Sequence, residues 1–480
     1  MNLVFLLAMP MALGLITLFI RGGQKRSLRR CVLFLGAFSH LVGTALFYLP
    51  GARRHFNDFL SIDSLGLLFL SLTSILFFFV SIYSFGYFFK EHRSGQEQGI
   101  RHLYAPCMLF FLSSMTLATL TSHLGLLWVA IEATTLATAP LIYYHHHARA
   151  LEAAWKYLLI CSVGIALALL GIFFIAAAAR GKGIDLFVSD FILNAPNLNA
   201  RFLKIGFILV MVGFGTKMGL APLHNWLPDA HSESPSSVSA LLSGALLNIA
   251  FLGILRCYQI CSAAGISVFA NRLLLIFGIF SLFVAAVFIT NQKDYKRMLA
   301  YSSVEHMGIL ALGIGVGSPF AALFHMINHS FAKSLLFLAA GQIVLGYRTK
   351  KVAEVQGLLK TIPATGILFM VGSLAILGIP PFSPFVSKFL ILKGCFMNGH
   401  YFVAALTLLF LGIIFVSMSK IIFGMAQGEK RQIPGALERV PYLMLAPALF
   451  AVILLALGLY LPPVMVDFLK QAAGLLGGNL

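Results

Sequence analysis

Charge is what this sequence of 480 residues has least of. Only 10% of its residues are Asp, Glu, Lys or Arg and 59% are hydrophobic, whereas soluble domains carry about a quarter charged residues. That excludes a water-soluble globule. Acids are scarcer still, 16 against 34 Lys and Arg, for a formal charge of +18. On a soluble chain such an excess would point to nucleic acid. Here the basic residues sit mostly in short loops between apolar runs, so they report membrane topology, and no nucleic-acid partner is expected. The six cysteines (Cys31, Cys107, Cys161, Cys257, Cys261, Cys395) form no CxxC motif and no zinc spacing. They read as small apolar residues. A GxGxxG turn after a strand, a Walker motif and a cysteine set for an iron–sulfur cluster are all missing. No metal and no cofactor is therefore expected on this chain. Such a chain can move ions, but the energy has to come from elsewhere.

What is present is apolar length. Fourteen runs are long enough to cross a bilayer at about 20 residues each: 2–20, 31–50, 63–89, 104–122, 124–143, 154–179, 202–221, 236–257, 272–291, 295–316, 318–346, 362–397, 401–425 and 441–463. The expectation is an all-α polytopic membrane protein in contact with the lipid bilayer. The first run has the length of a signal peptide. It lacks a basic start and a clear cleavage site, and a basic cluster follows it, so it reads as a retained span.

Loops after the odd-numbered runs hold Arg21, Lys25, Arg26, Arg29, Arg30, Lys90, Arg93, Arg101, Arg149, Lys293, Lys296, Arg297, Arg348, Lys350, Lys351, Lys360, Lys430, Arg431 and Arg439. The other side holds Arg53, Arg54, Arg180, Lys182, Arg201, Lys204, Arg256, Arg272 and Lys470. The first group faces the cytoplasm by the positive-inside rule, which places both termini outside it. The six remaining basic residues, Lys156, Lys217, Lys333, Lys388, Lys393 and Lys420, are all lysines and all fall in runs. Arginine keeps its proton in a protein, whereas a buried lysine can hand one on.

Charge at membrane depth costs at least ~2.5–3.5 kcal/mol and usually marks function. Lys217 lies beside a break at Gly219 and Pro222, and a polar patch with His224 follows. Lys388 lies beside Pro380, Pro381 and Pro384 in the twelfth run. Broken helices free backbone groups, which is tolerated against protein or water-filled space. The seventh and twelfth runs are five apart, so they cross in opposite directions, as an inverted repeat requires. The units are 104–257 (runs four to eight) and 272–425 (runs nine to thirteen). Residues 1–103 precede them and 441–480 follow.

Glu132 is the only acid of the fifth run. A buried carboxylate predicts a cationic partner, with Lys217 the first candidate. Lys156, early in the sixth run, either snorkels to the surface or reaches Glu132. His325, His329 and Lys333 recur at i, i+4, i+8 and stack on one helix face. HxxxH is also a zinc spacing, but the glutamate of HExxH is missing and Lys333 would oppose a cation. A proton relay with bridging water suits this file, against the plainer reading of satisfied core histidines. Lys388 has no acid near it in sequence and would end a path that starts at Glu132. Glu305 and His306 fall about two turns into the tenth run. His145, His146 and His147 read as a solvated loop.

The motifs AIEATTL, EAAWKY, FGTKMGLAPLHNWLPDAHSESPSSVSALLSG, DYKRMLAYSSVEHMG, HMINHSFAKSLLFLAAG and GIPPFSPFVSKF, between about Leu60 and Gly424, resemble the antiporter-like membrane subunits of respiratory complex I and its relatives. Within that family, GFGTK, NRLLLIFG and SSVE most resemble the hydrogenase-4 component F type of group 4 nickel–iron hydrogenases. The resemblance implies fourteen helices with two inverted five-helix repeats, broken helices seven and twelve, and a proton path across the middle of the membrane. It implies Glu132 and Lys217 as a coupling pair, Lys156 and Lys333 on the path, and Lys388 as its terminal residue. His224, Asn248, Glu305, His325 and His329 would relay or hold water. Many relatives carry a lysine or histidine where this chain has Asn248, which can hold water but takes no proton at neutral pH. Lys388 resembles the complex I type, where the hydrogenase type tends to have glutamate.

Implied partners are other antiporter-like and membrane-anchor subunits and a peripheral hydrogenase or dehydrogenase arm with iron–sulfur clusters, at the plasma membrane of a prokaryote. Competing readings are a subunit of a multi-subunit sodium/proton antiporter, a membrane partner in inorganic-carbon uptake, and a scaffold with a vestigial relay.

Overall fold

The computed structural model describes residues 3–20, 26–49, 51, 54–93, 101–181, 183–429 and 441–477. Arg21, Lys25, Arg53, Lys182, Lys430, Arg431 and Arg439 of the topology argument lie outside the described residues.

The helices follow the apolar runs. They are α1 (Leu3–Phe19), α2 (Arg26–Ala45), α3 (Ser64–Arg93), α4 (Arg101–Leu120), α5 (Leu124–Ile142), α6 (Ala148–Ala178) and a short α7 (Val188–Leu193). Then come α8 (Ala200–Met218), α9 (Trp226–Glu233), α10 (Ser236–Leu241), α11 (Leu247–Ala263), α12 (Ser267–Ile289), α13 (Tyr295–Gly315) and α14 (Pro319–Tyr347). The chain closes with α15 (Leu358–Thr361), α16 (Pro363–Leu377), α17 (Ser383–Met397), α18 (Tyr401–Ala426), α19 (Pro441–Leu459) and α20 (Pro463–Gly474). A two-stranded β-hairpin, His55–Asn57 with Leu60–Ser61, is the only sheet among the described residues.

Ten helices among the described residues are long and apolar enough to cross a bilayer. Helices α8 and α13 fall short of that measure because of the polar residues they carry, Arg201, Lys204 and Lys217 in one and Lys296, Arg297, Glu305 and His306 in the other. The seventh and twelfth runs are broken as expected. Helix α8 stops at Gly219 (φ 84°) and α16 at Gly378 (φ 82°), the left-handed conformation that glycine adopts without a Cβ clash. The segments read Gly-Leu-Ala-Pro and Gly-Ile-Pro-Pro, so neither helix can resume before the proline.

The structure adds one break that the sequence reading lacks. Between α10 and α11 the eighth run passes through a π-helical turn, Leu242–Leu246. Such turns leave a local misfit in the backbone hydrogen-bond ladder and recur at functional sites. Asn248 follows two residues later.

Burial separates an inner set of helices from an outer shell. Residues 236–261 are wholly enclosed and α14 nearly so, whereas few residues of α18 are buried. Exposed apolar side chains such as Phe415, Val416 and Leu409 on α18 are what a lipid-facing helix presents. Helices α6 and α8 pack closely because glycines meet. A Cβ on Gly206 would stand 2.8 Å from the Gly171 carbonyl oxygen.

Candidate functional site

Two clusters of buried charge form beside the two helix breaks. In the first, Lys217 is fully buried at the end of α8. Its Nζ donates to the Tyr157 hydroxyl at 3.1 Å and to Thr135 Oγ1. Thr135 Oγ1 donates in turn to Glu132 Oε2 at 3.1 Å, and Ser162 Oγ donates to Glu132 Oε1 at 2.9 Å. Glu132 and Lys217 therefore communicate through a threonine one turn along α5, not by direct contact. Trp226 closes the cluster, its ring 4.9 Å from that of Tyr157 and its Nε1 donating to the Thr216 carbonyl at 2.9 Å.

In the second cluster, Lys388 Nζ donates to Glu305 Oε1 at 3.0 Å and to the Ile376 carbonyl at 3.0 Å. That carbonyl belongs to the last turn of α16, where the break removes its helical partner. Both members of the pair are buried. The acid that sequence proximity did not offer Lys388 comes from α13, 83 positions away. His306, beside Glu305, shares a hydrogen bond of 2.8 Å with His325, whose other nitrogen meets Ser387 Oγ at 2.9 Å.

The file on α14 runs on from the second cluster. His325, His329 and Lys333 are fully buried. Lys333 Nζ donates to the Leu299 carbonyl at 2.6 Å and to Ser302 Oγ, both on α13. The His329 ring lies 5.3 Å from that of His306, and neither of its nitrogens has a protein partner. Asn248 donates to Ser330 Oγ at 2.8 Å and ties α11 to α14. Its Oδ1 has no protein partner, nor has Asn328 Oδ1. Polar atoms buried without a partner cost roughly 1–3 kcal/mol each unless water satisfies them. The two clusters and the file thus hold the buried lysines Lys217, Lys333 and Lys388, the histidines His306, His325 and His329 and the Glu305 carboxylate, with hydroxyls and orphaned acceptors among them. Such a set can hold and pass protons.

Other predicted residues lie elsewhere. Lys156 does not reach Glu132: exposed on α6, it pairs with Glu152 at 2.6 Å and Asp229 at 3.1 Å. Its neighbour Tyr157 is the residue that turns inward to Lys217. His224 is buried in the loop after α8, edge-on to the stacked rings of Phe288 and Tyr301 at 6.3 and 6.1 Å. Lys393 and Lys420 are exposed, so only three of the six run lysines are enclosed. In the histidine loop, His147 accepts from the Ala150 backbone at 3.1 Å, which caps α6, and lies 3.4 Å from Glu233. Among the described residues no group of His, Cys, Asp and Glu could hold a metal ion.

Sequence reasoning missed four contributors. Thr135 looked like an ordinary helix residue. Arg256 was assigned to a loop but is buried in α11, where it grips Asp63 through two bonds of 2.6 and 2.8 Å. Lys296, counted among the cytoplasm-facing loop residues, lies in α13 and is enclosed at 3% exposure, and His231 is fully buried. The signal available for the last two was the charge-rich motif around each.

The fold and the site define a multi-pass helical membrane protein with buried lysines at two helix breaks. Its particular family follows from comparison: residues 121–415 match the model of the NADH:quinone oxidoreductase/Mrp antiporter membrane family, and the chain belongs to that family. It is 37% identical over 405 residues to a hydrogenase-4 component F homolog of Methylacidiphilum infernorum, covering 81% of this chain and 84% of that protein. It is 29% identical over 316 residues to hydrogenase-4 component B of Escherichia coli, covering 63% of this chain and 46% of that one. Among solved structures, a chain of the Mrp complex from Dietzia sp. DQ12-45-1b superposes with a TM-score of 0.85 at 20% identity, covering 98% of this chain and 96% of that one. A chain of respiratory complex I from Thermus thermophilus gives 0.79 at 26% identity, covering 97% and 99%. The protein is an antiporter-like membrane subunit.

Proposed function

We propose that this chain translocates protons as a subunit of a membrane-bound redox complex of the group 4 nickel–iron hydrogenase type. The observation that carries the reading is the succession of buried groups on α13 and α14, from Lys333 through His329, His306 and His325 to the Glu305–Lys388 pair. Glu132 and Lys217, linked by Thr135, stand at the other end. A lysine that alternates between charged and neutral forms can accept a proton from one side and release it to the other, which arginine cannot do. In this reading 104–257 and 272–425 are inverted repeats, each with a glutamate (Glu132, Glu305) and a break-side lysine (Lys217, Lys388). Lys156 and His224 act outside the central line, at the surface and in the break loop.

The likeness to hydrogenase-4 components supports the hydrogenase assignment. Partners in this reading are further antiporter-like and anchor subunits and a peripheral arm with iron–sulfur clusters. The electrons stay on that arm, and this chain binds no cofactor. The membrane is the plasma membrane of a prokaryote, with both termini on its outer face.

A second reading, a subunit of a sodium/proton antiporter, is favoured by the superposition on a chain of an Mrp complex. Affinity purification of the tagged chain from its native membranes decides between them. Co-purifying nickel–iron and iron–sulfur subunits support the first, and a set of small membrane subunits without metals supports the second. Proton transport itself is tested by reconstituting the purified assembly in liposomes with an internal pH dye and a potassium diffusion potential. Lys217→Arg should abolish uptake with assembly intact, and wild-type uptake by that variant would refute a proton role for the line.

A further inference from the structure

On the face richer in basic residues, a cavity of about 520 Å³ opens between α6, α9 and the start of α13. Its lining includes Lys156, Asp229, Ser232, Glu233, Asp294 and Arg297. Its floor is fixed by charge. Ser232 Oγ donates to Asp294 Oδ2 at 2.7 Å, and Lys350 Nζ donates to the Ser232 carbonyl at 2.9 Å. Directly behind that floor lies Lys296, whose Nζ donates to the Ser234 carbonyl at 2.7 Å and the Ser232 carbonyl at 3.3 Å. Both carbonyls end α9.

Deeper in, α13 holds the next cation, Lys333 of α14. Lys333 is bonded to the Leu299 carbonyl, one turn from Lys296 on the same helix. His231 joins this region from α9. It is fully buried, its ring is stacked on Phe337 at 4.8 Å and 14°, and both of its nitrogens lack a protein partner. Phe337 lies one turn from Lys333 on α14, and Lys296 is bonded to the carbonyl of Ser232, the residue next to His231. A buried imidazole with two free nitrogens, between a lysine behind the cavity floor and a lysine on the central line, has the geometry of a shuttle.

We propose that Lys296, His231 and Lys333 form a proton-uptake branch that loads the central line from this cavity at Lys333, a step needed alongside the Glu132–Lys217 cluster. The Lys296 ammonium gives a proton to one nitrogen of neutral His231. The other nitrogen gives its proton to the neutral Lys333 amine. Lys296 is then reprotonated from the cavity, and His231 returns to its starting tautomer by ring rotation or through water. The branch rests on the proton-translocating reading above.

The alternative is structural: a lysine that caps the last carbonyls of α9. Lys296→Arg separates the two, because arginine keeps the charge and the donors but not the releasable proton. His231→Phe keeps a ring against Phe337 and removes both nitrogens. Both variants are to be purified in the assembled complex and assayed for potential-driven proton uptake in liposomes, beside Lys217→Arg. The branch requires at least a tenfold loss of uptake in each, with thermal midpoints within a few degrees of wild type. Should Lys296→Arg fail to assemble, His231→Phe decides alone. Wild-type uptake by His231→Phe, with Lys217→Arg inactive, would overturn the branch and leave proton translocation standing. Wild-type uptake by all three would overturn both.

Discussion

Lys388 on α17 and Glu305 on α13 meet at 3.0 Å inside the protein, and the lysine's second partner is the Ile376 carbonyl at the end of α16. One ammonium thereby holds three helices around the twelfth-run break. Removing one member leaves the other charged and unpaired in a low-dielectric interior, at a cost of about 3–5 kcal/mol. Glu305→Gln and Lys388→Met should each lower the thermal midpoint of the detergent-purified protein. The double substitution should cost less than the sum, since it leaves no lone charge. Strict additivity would show that the two side chains do not pair.

The same lysine leans on the glycine of the break. A Cβ at Gly378 would stand 3.1 Å from Lys388 Cδ, and φ is 82°. Gly378→Ala therefore meets a left-handed backbone penalty of roughly 1–2 kcal/mol and displaces the lysine from Glu305. The expected outcome is a protein that still assembles but takes up protons several-fold more slowly, read as the initial rate in liposomes. An unchanged rate would mean that the lysine's placement against the break does not matter for transport.

Asp63 gives a pH dependence outside the membrane-spanning segments. Burial alone would raise its pKa, but the bidentate Arg256 guanidinium and the Gly66 backbone N–H outweigh it and hold the carboxyl below its ordinary value. A lowered folded-state pKa stabilises above the unfolded value, near 4, and that contribution fades as pH falls through the folded value. Asp63→Asn should thus unfold at lower temperature than wild type at pH 6, with the gap closing below about pH 4. Midpoints measured between pH 3 and 6 check this, and a gap that stays constant over that range would exclude the linkage.

How much of this was legible in the sequence depends on the range of the interaction. The apolar runs and the two breaks are local features, written as length, glycine and proline, and the helices follow them. The α14 file was readable because i, i+4 spacing fixes a face. The pairing of Glu305 with Lys388 spans 83 positions and depends on how α13 and α17 cross, which no local pattern encodes. The π-turn at Leu242–Leu246 arises from tertiary packing and has no residue signature. Lys156 misled because its neighbour, Tyr157, occupies the inward face. Arg256 misled because its helix continues to Ala263, past the predicted boundary at 257.

The last prediction concerns Thr135, the residue between Glu132 and Lys217. It accepts from the Lys217 ammonium and donates to Glu132 Oε2, so it is the only described hydrogen-bonded link from the lysine to that carboxylate. Thr135→Val keeps the shape and removes the hydroxyl, which leaves the ammonium with Tyr157 alone among its described side-chain partners. Thr135→Ser keeps the hydroxyl. Proton uptake should fall at least tenfold in the valine variant and stay near wild type in the serine variant, both with normal assembly. A double-mutant cycle on Glu132→Gln and Lys217→Gln should give a stability coupling of about 0.5–3 kcal/mol in the wild-type background, the range of residues that share a network. Repeated in the Thr135→Val background, the cycle should give a coupling near zero, because the path that joins the charges is gone. An equal coupling in both backgrounds would show that Glu132 and Lys217 sense each other without Thr135, through space or through water.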